Sequence, residues 1–488
     1  MKHLLRTQSR HHCLLLLYLS LTACTPGPDY LAPTPPSAAH LSRNNAEALL
    51  QNSPVALQHP WWVQWNAPIL QRWITQGLAH NPGIAVATAN LQAAQLYTMA
   101  QHSAALPALS LGYNGQKATT ATALASPLQI PVNPYTLHTA QLTVSYTPDL
   151  FGLNHRTIES LEAQVEYSRY QQDAACLSVA ASIGVVAVQL ASTQAQINTT
   201  RDLITEQQYQ LRIVQQGQKN GFNSPADVLQ QEQQLTQTQA TLAPLQKQLE
   251  QNLDALAVLT GQAPAVLTTE IPQLTGLQAP ATIPVSLAAT RLQQRPDVES
   301  AAAQVHIASA NVGIAAASRW PQLNITAAYG GSATTLGSLF QSGSSFWSLG
   351  AGLTAPLWDF GQLKHRQEAA QALLRAALEQ YRQTALNALQ NLADSLYALQ
   401  TDRDSERLAQ KNLQEAWHLY QINQRLQQAG ALTGSQLSGW HVAWLQAQLG
   451  EEQAQTNRLA DTIALLQALG GPWNSDPKKN TKVSVTGG

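Results

Sequence analysis

The sequence predicts an α+β chain made of two copies of one unit, each running helix, strand, strand, very long helix, turn, helix. Three observations carry this. Residues 362–429 are 68 positions (429 − 362 + 1) without glycine or proline, and residues 153–216 read the same way, interrupted only by Gly184. Ahead of each stretch lie two short segments in which apolar and polar residues alternate, the period of a half-buried strand. Landmarks also recur at fixed spacing. Asn81-Pro82 matches Arg295-Pro296 and Pro107 matches Pro321 at 214 residues (296 − 82 and 321 − 107). Phe151-Gly152 matches Phe360-Gly361, and Gly221 matches Gly430, at 209 (360 − 151 and 430 − 221). An internal repeat of this kind decides architecture before local detail does.

Composition bounds the function. The 488 residues carry 27 Lys+Arg against 28 Asp+Glu, a formal net charge of −1, and only 11% are charged, where about 25% is usual. A basic nucleic-acid surface is thereby excluded. Gln, Asn, Ser and Thr supply the polarity, so the wet surfaces are mostly neutral.

Taken in order, the chain opens with an address. Lys2, Arg6 and Arg10 precede an apolar run over 13–21, and Leu21-Thr22-Ala23-Cys24 ends it. This resembles a bacterial lipoprotein signal peptide over residues 1–23, with Cys24 taking lipid (palmitate among its chains). The apolar run is too short to span about 30 Å of hydrocarbon. Thr25 stands where an aspartate would favour the inner membrane, so the expected site is the outer membrane, with the chain lipid-anchored. Cys13 leaves with the signal and Cys176 is then the one remaining thiol. It sits among Ala and Val as a small buried hydrophobe, and no internal disulfide is expected.

Residues 24–60, rich in Pro, Ser, Ala and Asn, read as an extended leader. The first repeat covers 61–270, with strands at about 107–116 and 138–147, a long helix over 153–219 and a helix over 226–260. The second covers 271–471, with a helix over 297–320, strands at about 322–331 and 345–355, a long helix over 362–429 and a helix over 435–469. Residues 472–488 form a flexible tail. Pro244 lies inside a predicted helix and should kink it.

Each strand has an apolar face (Leu109, Leu111 and Tyr113 in the first) and a polar one (Ser110, Gly112 and Asn114). A membrane barrel needs about eight strands or more, so four strands span a bilayer only if several chains pool them. A soluble four-stranded sheet is the other reading. Export, uncharged polar faces and the aromatic residues Tyr113, Tyr146, Tyr329 and Trp347, placed as membrane-interface girdles are, favour the pooled barrel. The long helices need lateral partners too. Residues 174–191 are apolar except Ser178, Ser182 and Gln189, but the counterpart 383–400 carries Asn387, Asn391 and Asp394, which favours the buried wall of a helical tube over a transmembrane helix.

These residues together resemble the TolC-like outer-membrane efflux proteins, in the lipoprotein branch called NodT or OprM-like. The resemblance runs from Cys24 to about Gly471. It rests on Gly27-Pro28-Asp29-Tyr30, Trp61-Trp62, Asn81-Pro82, Asp149-Leu150-Phe151-Gly152, Arg295-Pro296-Asp297-Val298 with Gly313 and Pro321, Asp359-Phe360-Gly361, and the turns at Gly221 and Gly430. It implies a homotrimer whose twelve strands, four per chain, form an outer-membrane β-barrel of a Gram-negative bacterium, continued by a long periplasmic α-helical barrel. It implies a passive duct of a tripartite efflux system that expels small molecules, with a periplasmic adaptor protein and an inner-membrane pump, of RND type, as partners. The adaptor-contact tips would be Gly221, Phe222, Ser224, Gly430, Leu432 and Thr433, and the periplasmic gate candidates Asp227, Arg425 and Gln428. The sequence departs from the family pattern at the gate: 422–435 holds no carboxylate, and Arg425 is its single charge. Asp227 serves equally as a first-turn carboxylate on the helix dipole.

No P-loop, HExxH, GxSxG or CxxC pattern is present, and no histidines share ligand spacing, so no enzyme, metal or cofactor beyond the Cys24 lipid is expected. Two methionines, Met1 and Met99, argue against a duct for soft copper ions. The alternatives are the duct of a type I protein-secretion system and a non-conducting periplasmic coiled-coil lipoprotein.

Overall fold

The computed structural model describes residues 26–34, 50–51, 60–65, 67–119, 134–267, 270–279, 283–284 and 294–470. The signal peptide, Cys24, most of the leader and the 472–488 tail lie outside them. Helices are α1 (Pro68–His80), α2 (Pro82–Ala104), α3 (Leu153–Lys219), α4 (Pro225–Leu259), α5 (Pro296–Ala317), α6 (Gln362–Gln428) and α7 (Gly434–Ala468). Strands β1 (Ala108–Ala118), β2 (Tyr135–Tyr146), β3 (Gln322–Ala333) and β4 (Ser345–Thr354) form one antiparallel sheet in that order. A two-residue parallel bridge joins Leu50–Gln51 to Ile283–Pro284.

Prolines set several of these ends. Pro68, Pro82, Pro225 and Pro296 each open a helix, where the missing N–H costs nothing and φ is preset. The helix expected to reach residue 320 ends at Ala317 and closes in a tight turn, with the Trp320 N–H donating to Ala317 O at 3.0 Å. Pro321 is the cause, because the residue before a proline is driven out of the helical region. By contrast α4 runs on through Pro244 without ending.

The chain divides into two compact units. The first, residues 1–34, 90–168 and 301–381, holds the sheet. Its register puts apolar side chains in rows: Leu111 faces Leu142, Leu142 faces Tyr329, and Tyr329 faces Trp347. Arg156, buried on α3, donates to Glu159 (2.7 Å) and to Asp29 (2.9 Å), and Tyr30 stacks on His306 with centroids 4.0 Å apart. The Gly27–Tyr30 motif is thereby pinned to its unit. Burial works against the charged Arg156, but Glu159 and Asp29 outweigh it and hold its pKa up.

The second unit comprises residues 35–89, 169–300 and 382–488. Its core gathers Trp61 and Trp65 of a 3-10 turn (Trp61–Trp65), Ile74 of α1, Ile183 and Leu190 of α3, Leu256 of α4, Leu396 of α6 and Ile463 of α7. The apolar run of α3 that is long enough to cross a membrane lies in this core and is more than half buried. Gly184, in the middle of that helix, lies against Trp61: a methyl group there would come within 2.9 Å of the indole. Cys176 is buried. Arg295 donates to the Ala468 carbonyl at the end of α7, and its Nε and Nη2 hold Asp297 at 3.1 and 2.9 Å.

Candidate functional site

Two arrangements in the molecule suit conduction. The first is the sheet. Its polar face carries Ser110, Thr139, Gln141, Thr143 and Ser145, tied across strands by Ser110 Oγ to Thr143 O (3.4 Å) and Thr139 to Ser332 (3.2 Å), and along β2 by Gln141 Nε2 to Thr143 Oγ1 (3.3 Å). The four strands contain no Asp, Glu or Arg and one lysine, Lys117. The opposite face is apolar and exposed, with Leu111, Leu349 and Leu353 each more than 60% accessible. An apolar face of that extent without cover is unlike a soluble sheet.

Register locates the four aromatic residues expected at membrane interfaces. Tyr329 and Trp347 oppose each other, and Tyr113 lies one step nearer the β1–β2 loop, with its hydroxyl 2.8 Å from His138 Nδ1. Tyr146 is at the other end of the sheet, opposite Ile325. Periodicity does not single out Leu357, Trp358 and Phe360, which stand fully out in the turn between β4 and α6. Phe360 has φ 53 there, a strained value for a bulky residue. Asp359 fixes that turn by accepting from the Leu363 (2.8 Å) and Gly361 (3.0 Å) N–H groups, which also hold its carboxyl below the usual range.

The second arrangement is the pair of helix-to-helix turns, α3 to α4 and α6 to α7, and the two are built alike. In the first, Phe222 N donates to Gly217 O (2.8 Å) and Gly221 N to Gln218 O (3.0 Å). In the second, Ala431 N donates to Leu426 O (2.9 Å) and Gly430 N to Gln427 O (3.0 Å). This is the paired bonding of a helix ended by a left-handed glycine, and Gly221 and Gly430 have φ 78 and 74. Ser224 and Thr433 then open the next helices with capping boxes closed by Asp227 and Gln436. Ser224 N donates to Asp227 Oδ2 at 2.7 Å, and these bonds hold the Asp227 carboxyl below its ordinary pKa. Of the gate candidates, Asp227 is therefore engaged in capping, while Arg425 and Gln428 are exposed in the last turns of α6. Phe222 projects from its turn, 84% accessible.

Pairwise contacts join polar residues that no spacing rule connects. Glu206 of α3 accepts from Ser438 and lies 2.8 Å from His441 Nδ1, both on α7. His441 stacks with Tyr420 and Trp444 at 4.8 and 5.6 Å. Asp402 on α6 meets Asp461 on α7. Burial first, then the hydrogen bond and charge of Asp461, push Asp402 up to about 6. Glu206 and His441 are 235 residues apart (441 − 206) and Asp402 and Asp461 are 59 apart (461 − 402), beyond any local signal. Among the described residues no group of three or more His, Cys, Asp or Glu could hold a metal ion.

A sheet with one neutral polar face, one exposed apolar face and, among the described residues, two unpaired edges, on the same chain as two 67-residue helices, defines the protomer of an outer-membrane channel. The outer membrane efflux protein family matches residues 73–262 and 287–471, and the chain belongs to that family. It is 26% identical over 476 residues to the pyoverdine export outer membrane protein OpmQ of Pseudomonas putida, a match covering 96% of this chain and 99% of that protein. The antibiotic efflux pump outer membrane protein ArpC of Pseudomonas putida is also 26% identical, over 94% of this chain and 96% of its own. Among solved structures, the Campylobacter jejuni CmeC outer membrane channel superposes with TM-score 0.83 at 21% identity, covering 94% of this chain and 97% of that one. The outer-membrane channel OprN gives 0.82 at 23%, covering 92% and 100%. The chain is thus an outer-membrane channel component of an efflux system, in a family of transport ducts, and the fold class expected from its repeats holds.

Proposed function

We propose that three copies of this chain form a closed, passive duct through which an inner-membrane pump of RND type and a periplasmic adaptor expel small organic molecules. One observation carries the reading: among the described residues four strands leave both sheet edges unpaired under an exposed apolar face, a state that lipid tolerates only when the sheet closes. Twelve strands close it. Cys24 carries the lipid, and Tyr113, Tyr146, Tyr329 and Trp347 sit at the membrane boundaries. The turns at Gly221, Phe222, Ser224, Gly430, Leu432 and Thr433 meet the adaptor, while Arg425, Gln428 and Asp227 ring the narrow end.

Neutral walls of Gln, Ser and Thr suit varied cargo, as do relatives named for pyoverdine and for antibiotics. The test pairs ion conductance of the purified lipoprotein in planar bilayers with the drug sensitivity of a deletion strain. Conductance and hypersensitivity restored by the cloned gene are expected; a well-folded monomer without conductance overturns the reading.

A further inference from the structure

The internal repeat supplies the contacts that one chain cannot make. Ala108 faces Ser145 in the β1–β2 pairing. Shifting the first residue by 214 and the second by 209 gives Gln322 and Thr354, which face each other in the β3–β4 pairing. Those offsets come from landmarks outside the strands, so the register in one hairpin reproduces the other. The β2–β3 joint links the first repeat to the second, and its counterpart, β4 to a β1, can form only between two chains.

We infer that β4 pairs antiparallel with β1 of the next subunit in the one register that sets Leu353 opposite Tyr113 of the partner subunit. It follows from Val144 facing Ala327, since 144 + 209 is 353 and 327 − 214 is 113. Three independent features fit it. Leu353 and Tyr113 both lie on the apolar face, so the closed sheet keeps one greasy surface; a slip by one residue would reverse every side chain. Within the chain Gln141 faces Gly330, where an added methyl would come within 2.7 Å of the Gln141 Cβ. The shifted register gives the same combination with the roles exchanged, Gly350 opposite Gln116 of the partner subunit.

The third feature lies beside the sheet. Phe151 stacks on Trp320 with centroids 5.2 Å apart. Their counterparts are Phe360 and Leu106 (151 + 209; 320 − 214), which are 90% and 65% exposed. The same holds along the helices. Asn311 on α5 bonds Ser160 of α3 at 3.1 Å, and Gly313 lies against Arg156, whereas the equivalents on α2, Tyr97 and Met99 (311 − 214; 313 − 214), are large and exposed. Phe360 therefore seats on Leu106 of the partner subunit, and α2 lies along the partner's α6.

The inference rests on the closed-ring reading above, and cysteine pairs separate the two. With copper–phenanthroline, the double variant Leu353→Cys with Tyr113→Cys should convert most of the protein to reducible covalent trimer, at least tenfold more than either single variant. A second pair, Phe360→Cys with Leu106→Cys, reports the same joint outside the sheet and should also cross-link. Trimers that link Leu353→Cys to Leu111→Cys or to Gly115→Cys instead, or that link at neither pair, overturn the register and leave the ring standing. Purified monomer that links nowhere overturns both.

Discussion

Asn81 Nδ2 donates to the Leu259 carbonyl, 2.9 Å away across 178 residues of chain. Leu259 is the last residue of α4, and its carbonyl has no partner within the helix. The second repeat does the same with another side chain, since Arg295, 214 residues after Asn81, reaches Ala468 at the end of α7. The Asn-Pro and Arg-Pro-Asp motifs thus act alike, each starting a helix with its proline and closing another helix with the residue before it.

Removing either donor leaves a helix-end carbonyl unmet. Asn81→Ala should cost about 1–2 kcal/mol and Arg295→Met about 2–3 kcal/mol, the second more because a charge-assisted bond is lost and Asp297 loses its partner. Urea unfolding of the detergent-solubilised protein checks both, and near-equal, negligible losses would contradict the shared role.

The glycines of the helices predict opposite signs. Gly184→Ala gains about 1 kcal/mol of helix propensity but forces a methyl against the rigid, buried Trp61 ring, which costs about 1–3 kcal/mol, so the variant should melt lower. Gly439 and Gly450 of α7 have nothing within 4 Å of an added Cβ, so alanine there should raise the melting temperature by a degree or more. A Gly184→Ala variant that melts higher would show that Trp61 moves aside.

Gly184 also marks how far the sequence could be read. It was legible as an interruption in a long helix, but its cause, an indole 123 residues earlier (184 − 61), was not. The helix of residues 362–428, the alternation of Leu109, Leu111 and Tyr113, and the paired turns at Gly221 and Gly430 were readable because their signals are local: absent breakers, period two, a glycine stop. The turn at Asp359-Phe360-Gly361 was legible as a repeated landmark, but the exposure of Leu357, Trp358 and Phe360 in it was hidden because it follows no period. Glu206 with His441 and Asp402 with Asp461 were hidden because they meet only after two helices pack.

At the tips, stability and partner contact separate. Ser224→Ala and Thr433→Ala remove capping boxes and should each cost about 1 kcal/mol. Phe222→Ala touches little within the chain and should leave unfolding unchanged. If Phe222 meets the adaptor, that variant should lower efflux with no loss of stability, read as a fourfold or greater rise in drug sensitivity at equal trimer abundance. Unchanged sensitivity would remove Phe222 from the contact.

The last prediction concerns pH. Asp402 is pushed up to about 6 by burial and by Asp461, with Glu406 adding repulsion, while an unfolded carboxyl titrates near about 4. The nearby Arg458 is engaged by Glu406, and burial with the charge of Arg458 lowers the pKa of Arg403. A group whose folded pKa is raised contributes its full stability below the unfolded pKa and loses it as pH rises through the folded one. The window is therefore about pH 4 to 6, and the packing of α6 on α7 should be tighter at pH 5 than at pH 7.5. Because Asp402 is partly open to solvent, the difference amounts to about 1 kcal/mol. Asp402→Asn keeps the shape and cannot ionise, so it should raise the unfolding midpoint at pH 7.5 and leave it almost unchanged at pH 4.5. Equal effects of the substitution at both pH values would show that Asp402 titrates as an ordinary exposed carboxylate.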